Sequence, residues 1–233
     1  MSMGMKSIIF ALLFCIGYIT SIQLDIHLNL DPVTYELAIE YNQQVNTLAP
    51  NDQIFLGKIS IPHVTLYLTD FQNDSIPYLQ EVILNNIDIL SKVGESCQVE
   101  MTNIMVSAQY GMWNATVLPC LQYLSDFVVN NTYQYITPNQ SIPSWVYALP
   151  EPIRSEKIAM ITKYGSPNVF SQFQPHITLA WDAIDNLVNV FDTINIQPHQ
   201  FYSPSIGIGN VGDYGTVLDN QYGTFNFENN NQF

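Results

Sequence analysis

The sequence predicts an α+β fold with two lobes around a cleft, and two observations support this. First, the pentapeptide Pro-His-aliphatic-Thr-Leu occurs at 62–66 and again at 175–179. Second, the apolar residues repeat with the periods of strands and helices in the order strand, helix, strand, helix, hairpin, helix, strand, helix and strands. Each half of this element order contains one motif strand at a corresponding position, which suggests a duplicated fold.

The first half of the chain is predicted to contain two strands and two helices. Apolar and polar residues alternate over 24–30, as in a half-buried strand. Asp31 is followed by proline, which is typical of an N-cap and a first helical turn, and predicts a helix over 32–48. The first motif strand covers 63–69, because proline is tolerated where a strand begins. A second helix is predicted over 77–92.

The second half begins with a hairpin over 97–117, which Gly111 interrupts. A helix over 119–130 follows. The region 133–174 is proline-rich and is predicted to be a loop-rich insertion with a short strand or helix near 158–162. The second motif strand covers 176–181. A short helix at 185–190 and three β-like stretches, at 194–201, 205–210 and 214–227, complete the order.

The first 21 residues are predicted to be a secretory signal peptide. Lys6 precedes a short apolar run over 8–19, and small or polar residues follow it. An uncleaved anchor is the alternative, although the run is short for a membrane span. Residues 22–233 are long enough for one domain with its own core. We therefore expect a secreted or endolysosomal monomer that has no contact with the membrane after cleavage.

The cysteines and the glycosylation sequons agree with secretion. Cleavage would remove Cys15 and leave Cys97 and Cys120, which are predicted to form a disulfide bond. Two buried free thiols are the alternative. Sequons for asparagine-linked glycosylation begin at four positions, Asn73, Asn114, Asn130 and Asn139.

The charge balance excludes an extended nucleic-acid surface. Twenty acidic residues face six basic ones, and a long polyanion normally needs a basic stripe. Four of the cations lie shortly before the motif histidines in the chain, namely Lys58, Arg154, Lys157 and Lys163. They predict a small anion site that suits a small phosphate ester, with ordinary surface cations as the alternative.

The repeated motif carries the groups needed for acid–base chemistry. Side chains alternate along a strand, so His63 and Thr65 face one way, and His176 and Thr178 do the same in the second copy. Two such strands side by side would offer two proton-transfer groups and two hydroxyl donors to one pocket. These groups can act on a phosphoryl group without a metal or another cofactor. The spacing of the four histidines gives little support to a zinc site.

The two copies resemble the signature of the 2H phosphoesterase superfamily, which is His-hydrophobic-Thr/Ser-hydrophobic, present twice. This family includes 2′,5′-RNA-ligase-like proteins and 2′,3′-cyclic nucleotide phosphodiesterases. The matches lie at 63–66 and 176–179, and the likeness in element order extends from Leu24 to about Phe227. The resemblance implies a bilobal fold in which two antiparallel sheets line a central cleft and helices lie outside. The secretory signal, the acidic surface and the insertion depart from the family and leave the substrate open.

The resemblance also implies a role for each matching residue. One of His63 and His176 would act as general base and the other as general acid, with the assignment left open. Thr65 and Thr178 would donate hydrogen bonds to the non-bridging phosphate oxygens. The implied activity is metal-independent hydrolysis of a small cyclic phosphate, either a 2′,3′-cyclic nucleotide or an RNA end.

Three further residues are candidates for substrate binding. Tyr67 lies two positions beyond Thr65, on the face predicted for the cleft, and could stack on a base. Tyr164 and Arg154 lie in the insertion and could supply a second aromatic ring and a cation. The alternative to an enzyme is a non-catalytic module on the same fold that binds a nucleotide or another ligand.

Overall fold

The computed structural model describes residues 20–227, which form an α+β fold with two antiparallel sheets of four strands each. The strands are β1 (Ser21–Asn29), β2 (His63–Gln72), β3 (Gln98–Ser107), β4 (Tyr110–Ala115), β5 (His176–Trp181), β6 (His199–Tyr202), β7 (Ser205–Asn210) and β8 (Gly223–Asn226). The α-helices are α1 (Pro32–Leu48), α2 (Ile76–Asn85), α3 (Ile87–Gly94), α4 (Pro119–Thr132), α5 (Ser144–Tyr147), α6 (Ile153–Tyr164) and α7 (Ile184–Phe191).

The two motif strands lie at corresponding positions in the two sheets. The first sheet has the order β2-β1-β7-β8 and the second has the order β5-β4-β3-β6. Each motif strand therefore forms an edge and pairs with the strand that precedes it in the chain. The edges β2 and β5 also contact one another. The topology thus brings the two Pro-His-aliphatic-Thr-Leu segments together, although they are separated by more than a hundred residues.

Most elements of the first half are confirmed, with two differences. Helix α1 begins as predicted, because the side chain of Asp31 accepts a hydrogen bond from the amide of Thr34 at 2.8 Å. The helix predicted over 77–92 is broken into α2 and α3 at Asn86, whose φ of −120° and ψ of 12° leave the helical region. The prediction that β1 is half-buried is wrong. This strand lies between β2 and β7, and both Asp25 and His27 are fully buried.

One hydrophobic cluster joins the two sheets and their helices. Leu24 and Ile26 of β1, Val45 of α1, Leu124 of α4 and Leu179 of β5 all belong to it and are fully buried. Burial of each such side chain stabilises the fold by about 1.5–3 kcal/mol. Because strands from both sheets share this core, the facing edges of β2 and β5 are held in a fixed relation.

The region 133–174 is more regular than predicted, since it contains α5 and α6 and packs along β2. The hydroxyl of Tyr67 donates a hydrogen bond to the carbonyl of Tyr164, and the hydroxyl of Thr69 donates to the carbonyl of Gly165 at 3.0 Å. Gly165 ends α6 with a φ of +72°, and a Cβ there would lie 2.2 Å from the Thr69 hydroxyl oxygen. Only glycine fits this close approach. The insertion is thereby fixed against the motif strand.

The predicted disulfide bond between Cys97 and Cys120 is present, with the two Cα atoms 5.6 Å apart. It ties the start of β3 to the first turn of α4 and fits a secreted protein. The signal peptide predicted for 1–21 lies outside the described residues except for its last two positions, and Ser21 is already the first residue of β1. Across residues 20–227, no helix combines the length and the apolarity needed to cross a membrane.

The four predicted glycosylation positions differ in accessibility. Asn73, Asn130 and Asn139 are exposed. Asn114 is half-buried on β4, where it pairs with His176 of the neighbouring strand. Glycan attachment is sterically open at the three exposed asparagines and hindered at Asn114, and it stays a prediction at all four.

Candidate functional site

A cavity of about 310 Å³ lies against the two motif strands, and the insertion supplies part of its wall. Thr65 of β2 and both His176 and Thr178 of β5 line it. His63 is 7% exposed and is not among the lining residues of this cavity. The motif strands therefore place three of the four predicted catalytic side chains in one wall, with the fourth buried next to Thr65.

The two motif histidines are held in the same way. The Nδ1 atom of His63 lies 2.9 Å from the carbonyl oxygen of Ile61, and that of His176 lies 2.7 Å from the carbonyl oxygen of Gln174. In each case the acceptor is two residues earlier, across the motif proline. A carbonyl only accepts, so these contacts assign the hydrogen to Nδ1 and leave Nε2 as the nitrogen available for proton transfer.

A buried polar cluster surrounds the first motif, and we call it the Asp25 cluster (Asp25, His27, His63 and Thr65). The Thr65 hydroxyl donates a hydrogen bond to Asp25 Oδ2 at 2.6 Å, and His63 Nε2 lies 3.4 Å from the same oxygen. The rings of His27 and His63 have their centroids 5.0 Å apart. The other carboxylate oxygen, Oδ1, is buried and accepts no hydrogen bond from the described part of the chain.

The environments shift the pKa values of the two motif histidines in opposite directions. Burial disfavours the charged form of His63, but the close contact with the Asp25 carboxylate and its charge outweigh burial and raise the pKa. Burial lowers the pKa of His176, and the nearby charge of His63 lowers it further. For Asp25, burial acts to raise the pKa, but the neighbouring rings of His27 and His63 lower it overall. The charge of His63 therefore acts on His176.

The two threonines are not equivalent, although the sequence predicts the same role for both. A hydroxyl has one proton, and that of Thr65 is directed at Asp25 instead of the cavity. Thr178 lines the cavity, and no acceptor in residues 20–227 takes a hydrogen bond from its hydroxyl. Thr178 is therefore the threonine whose proton is available to a bound oxyanion.

Tyr67 does not reach the cavity, and a bulge in β2 is the reason. In the pairing with β1, Ile26 lies opposite Tyr67 and His27 lies opposite Thr65, so Leu66 has no partner. This extra residue changes the phase of the strand, and both Leu66 and Tyr67 are buried in the core. The expectation that Tyr67 stacks on a substrate is corrected, because its ring is 1% exposed.

The two candidates in the insertion also lie outside the cavity wall. Arg154 binds Glu151 three residues earlier, with 2.7 Å between the guanidinium and the carboxylate. The ring of Tyr164 packs against Tyr133 and Phe170, with centroid distances of 5.4 and 4.7 Å. Neither side chain contacts the cavity, because local partners hold both of them.

The predicted small anion site does not form in the cavity. Lys157 is buried and donates a hydrogen bond to the side chain of Asn168 at 2.7 Å, and burial lowers its pKa to about 8. Lys163 lies over the ring of Tyr164, and Lys58 lines a separate depression beside α1. No lysine or arginine of the described chain lines the cavity, whereas the acidic residue Asp70 does.

Asp25 and His27 are not among the residues that the sequence predicts for the site. Both alternate with apolar residues in β1, which is a pattern that predicts exposure. His27 Nε2 lies 2.8 Å from Asn220 Oδ1, and a Cβ on Gly207 would lie 2.4 Å from the same nitrogen. The pairing of β1 with the first motif strand is the signal that could have identified Asp25 and His27 as site residues.

Comparison with protein-family models finds no match to this chain, and comparison with curated proteins finds none either. Within residues 20–227, no three or more histidine, cysteine, aspartate or glutamate side chains form a group suited to holding a metal ion. The function is therefore inferred from the geometry and chemistry of the cavity and the Asp25 cluster.

Proposed function

We propose that the protein is a secreted or endolysosomal phosphodiesterase that hydrolyses a small cyclic phosphate, such as a 2′,3′-cyclic nucleotide or an RNA end, by two-histidine acid–base catalysis. The observation that carries the proposal is the matched fixation of His63 and His176 on two adjoining edge strands. Each ring donates through Nδ1 to the carbonyl two residues earlier, which leaves Nε2 as the nitrogen for proton transfer. His176 lines the cavity, and the Nε2 of His63 lies against Asp25. The resemblance of both motifs to the 2H phosphoesterase signature supports the same activity.

The chemistry needs one proton acceptor and one proton donor. One imidazole removes a proton from water as the water oxygen attacks phosphorus, and the other protonates the ribose oxygen as its bond to phosphorus breaks. Each transfer contributes about 10²–10⁴ in rate. The hydroxyl of Thr178, which lines the cavity, donates a hydrogen bond to a non-bridging oxygen, where negative charge must be stabilised.

The lining of the cavity favours a substrate with a single negative charge. Met105, Trp145 and Phe173 supply apolar and aromatic surface, and Asp70 contributes a carboxylate. A cyclic phosphate diester carries one charge, whereas its monoester product carries about two at neutral pH. A wall with a carboxylate and no cationic side chain therefore holds the product less strongly than the substrate, which favours product release.

Hydrolysis of nucleoside 2′,3′-cyclic phosphates, followed by phosphorus NMR with EDTA present, tests the proposal. We expect the wild type to turn over, and His63→Ala and His176→Ala to lose at least about 10²-fold in kcat/KM. His199→Ala is a matched control, because His199 contacts Thr34 and lies outside the cavity lining. Wild-type rates in both motif variants would contradict the proposed mechanism.

A non-catalytic module that binds a nucleotide or another ligand is the second candidate. It is favoured by the position of His63, which is buried against Asp25 and is not among the lining residues of the cavity. Calorimetric titration with a 2′,3′-cyclic nucleotide separates the two candidates. Saturable binding from which the intact cyclic phosphate is recovered after prolonged incubation would support the binding module over the enzyme.

A further inference from the structure

We infer that Asp25 is a positioning residue that keeps a proton on His63 and thereby makes His63 the general acid and His176 the general base. The protonation of His63 follows from contacts within the protein. The assignment of catalytic roles additionally rests on the proposed function, which leaves open which histidine is the acid.

Asp25 is a buried carboxylate whose charge has few partners. It lies on the central strand β1 and is fully buried, with one short hydrogen bond from Thr65 to Oδ2 and none to Oδ1. A buried carboxylate that remains charged needs a cation nearby, because removal from water costs several kcal/mol. In the described chain, the groups that form ion pairs with Asp25 are His27 and His63.

The contacts of His63 suit an imidazolium. Its Nδ1 faces the carbonyl of Ile61 and its Nε2 faces Asp25 Oδ2, so both nitrogens meet acceptors. This arrangement is satisfied only when both nitrogens carry hydrogen. The 3.4 Å separation from Asp25 is longer than a normal hydrogen bond, so the Nε2 proton is attracted by the carboxylate without being tightly bound to it.

The contacts of His176 suit a neutral ring. Its Nδ1 donates to Gln174, and no acceptor among residues 20–227 forms a hydrogen bond or ion pair with Nε2. A neutral imidazole with hydrogen on Nδ1 presents a lone pair at Nε2, which is what a general base requires. A positive charge on His63 further disfavours protonation of His176.

His27 is the competitor for the proton that balances Asp25. Its Nδ1 lies 3.2 Å from the backbone carbonyl oxygen of Asp25 and its Nε2 lies 2.8 Å from Asn220 Oδ1, so both nitrogens of this ring also meet acceptors. The distance from a ring nitrogen to the nearer oxygen of the Asp25 carboxylate is 3.7 Å for His27 and 3.4 Å for His63. Protonation of both rings would place two positive charges beside one carboxylate, with ring centroids 5.0 Å apart. One proton is therefore favoured, and the shorter distance to the Asp25 carboxylate assigns it to His63.

The decisive measurement is an NMR titration of protein labelled with carbon-13 and nitrogen-15 at histidine, without substrate. In the wild type we expect His63 to lose its proton at a higher pH than His176. Asp25→Asn keeps the shape of the side chain but removes its charge, so the proton affinity of His63 should fall at least tenfold, which moves its titration by one pH unit. Single His→Gln variants assign the resonances.

One control variant and one alternative measurement accompany this test. Asp52→Asn makes the same change at another buried carboxylate, which contacts Trp181 and Ile54 instead of the Asp25 cluster, and it should leave the His63 titration unchanged. If Asp25→Asn does not fold, the order of the two titrations in the wild type still decides. A titration of His63 below that of His176, or a response at His27 in place of His63, overturns the inference.

Kinetics separate this inference from the proposed function. In an active enzyme, the alkaline limb of the pH profile of kcat/KM should move to lower pH in Asp25→Asn by the same amount as the His63 titration. A purely structural role would lower the rate without moving that limb. If the wild type does not hydrolyse the substrate but His63 and His176 titrate as expected, the proposed function is refuted and the role of Asp25 is retained. If the wild type is active but Asp25→Asn leaves the His63 titration unchanged, the role of Asp25 is refuted and the proposed function is retained.

Discussion

Asp52 is a buried carboxylate outside the Asp25 cluster, and its ionisation should make the stability of the fold depend on pH. It is 1% exposed and accepts hydrogen bonds from the amides of Trp181 and Ile54. Burial raises its pKa from 3.8 to about 6, although these hydrogen bonds act in the opposite direction and the charge of Asp182 adds to the increase. The folded state therefore binds a proton that the unfolded state releases at mildly acidic pH.

The sign and the size follow from this difference. A group whose pKa is raised on folding stabilises the fold below its unfolded pKa, and this contribution is lost as the pH rises through the folded value. The difference between about 6 and 3.8 is about 2.2 units, which corresponds to roughly 3 kcal/mol at 1.36 kcal/mol per unit. This contribution is fully present below about pH 4 and absent above about pH 7.

The variant Asp52→Asn removes the charge and therefore this pH dependence. We expect the free energy of unfolding of the variant minus that of the wild type to be roughly 3 kcal/mol larger at pH 7.5 than at pH 4. Urea unfolding followed by tryptophan fluorescence at both pH values measures it. The comparison between pH values cancels any fixed effect of the new amide on the neighbouring Asn42.

A control and a clear contrary result accompany this measurement. Asp74→Asn removes an exposed carboxylate and shows what the loss of one surface charge does to the same measurement. If the difference between Asp52→Asn and wild type is the same at pH 4 and pH 7.5, burial does not raise the pKa of Asp52, and the reasoning is refuted.

Two further predictions concern stability. Tyr67→Phe removes the hydroxyl that binds the carbonyl of Tyr164, so we expect a loss of about 1–3 kcal/mol in urea unfolding, and an unchanged midpoint would contradict the contact. Replacement of both Cys97 and Cys120 by serine removes a covalent link between residues that are 23 positions apart in the chain. We expect the free energy of unfolding to fall by about 3 kcal/mol. Reduction of the wild type should lower stability by a similar amount, and equal stability with and without reductant would refute this prediction.

The strand and helix pattern of this chain was largely predictable, because local periodicity and caps determine it. Asp31 followed by proline marks the start of α1, and the two motif copies are both strands. The break at Asn86 was not predictable, since apolar residues continue through it with helical spacing. The partners of each strand depend on long-range pairing, and this is why β1 proved to be central and buried on both faces.

The candidate site was predictable in its motif residues and not in their surroundings. A bulge of one residue at Leu66 moved Tyr67 from the cleft into the core, and no local signal indicates such an insertion. Arg154 was predicted to bind substrate, but the nearby Glu151 binds its guanidinium. Asp25 contacts Thr65 and His63 across the sheet, so its role depends on strand pairing that the pattern of β1 alone does not show.

The most direct test of the central claim is a double-mutant comparison of His63 and His176 in the hydrolysis of a 2′,3′-cyclic nucleotide. Groups that act as one catalytic unit are strongly non-additive, so His63→Ala, His176→Ala and the double variant should all lose a similar factor of at least about 10² in kcat/KM. Losses that multiply in the double variant, or single variants as active as wild type, would show that the two imidazoles do not act together on one phosphate.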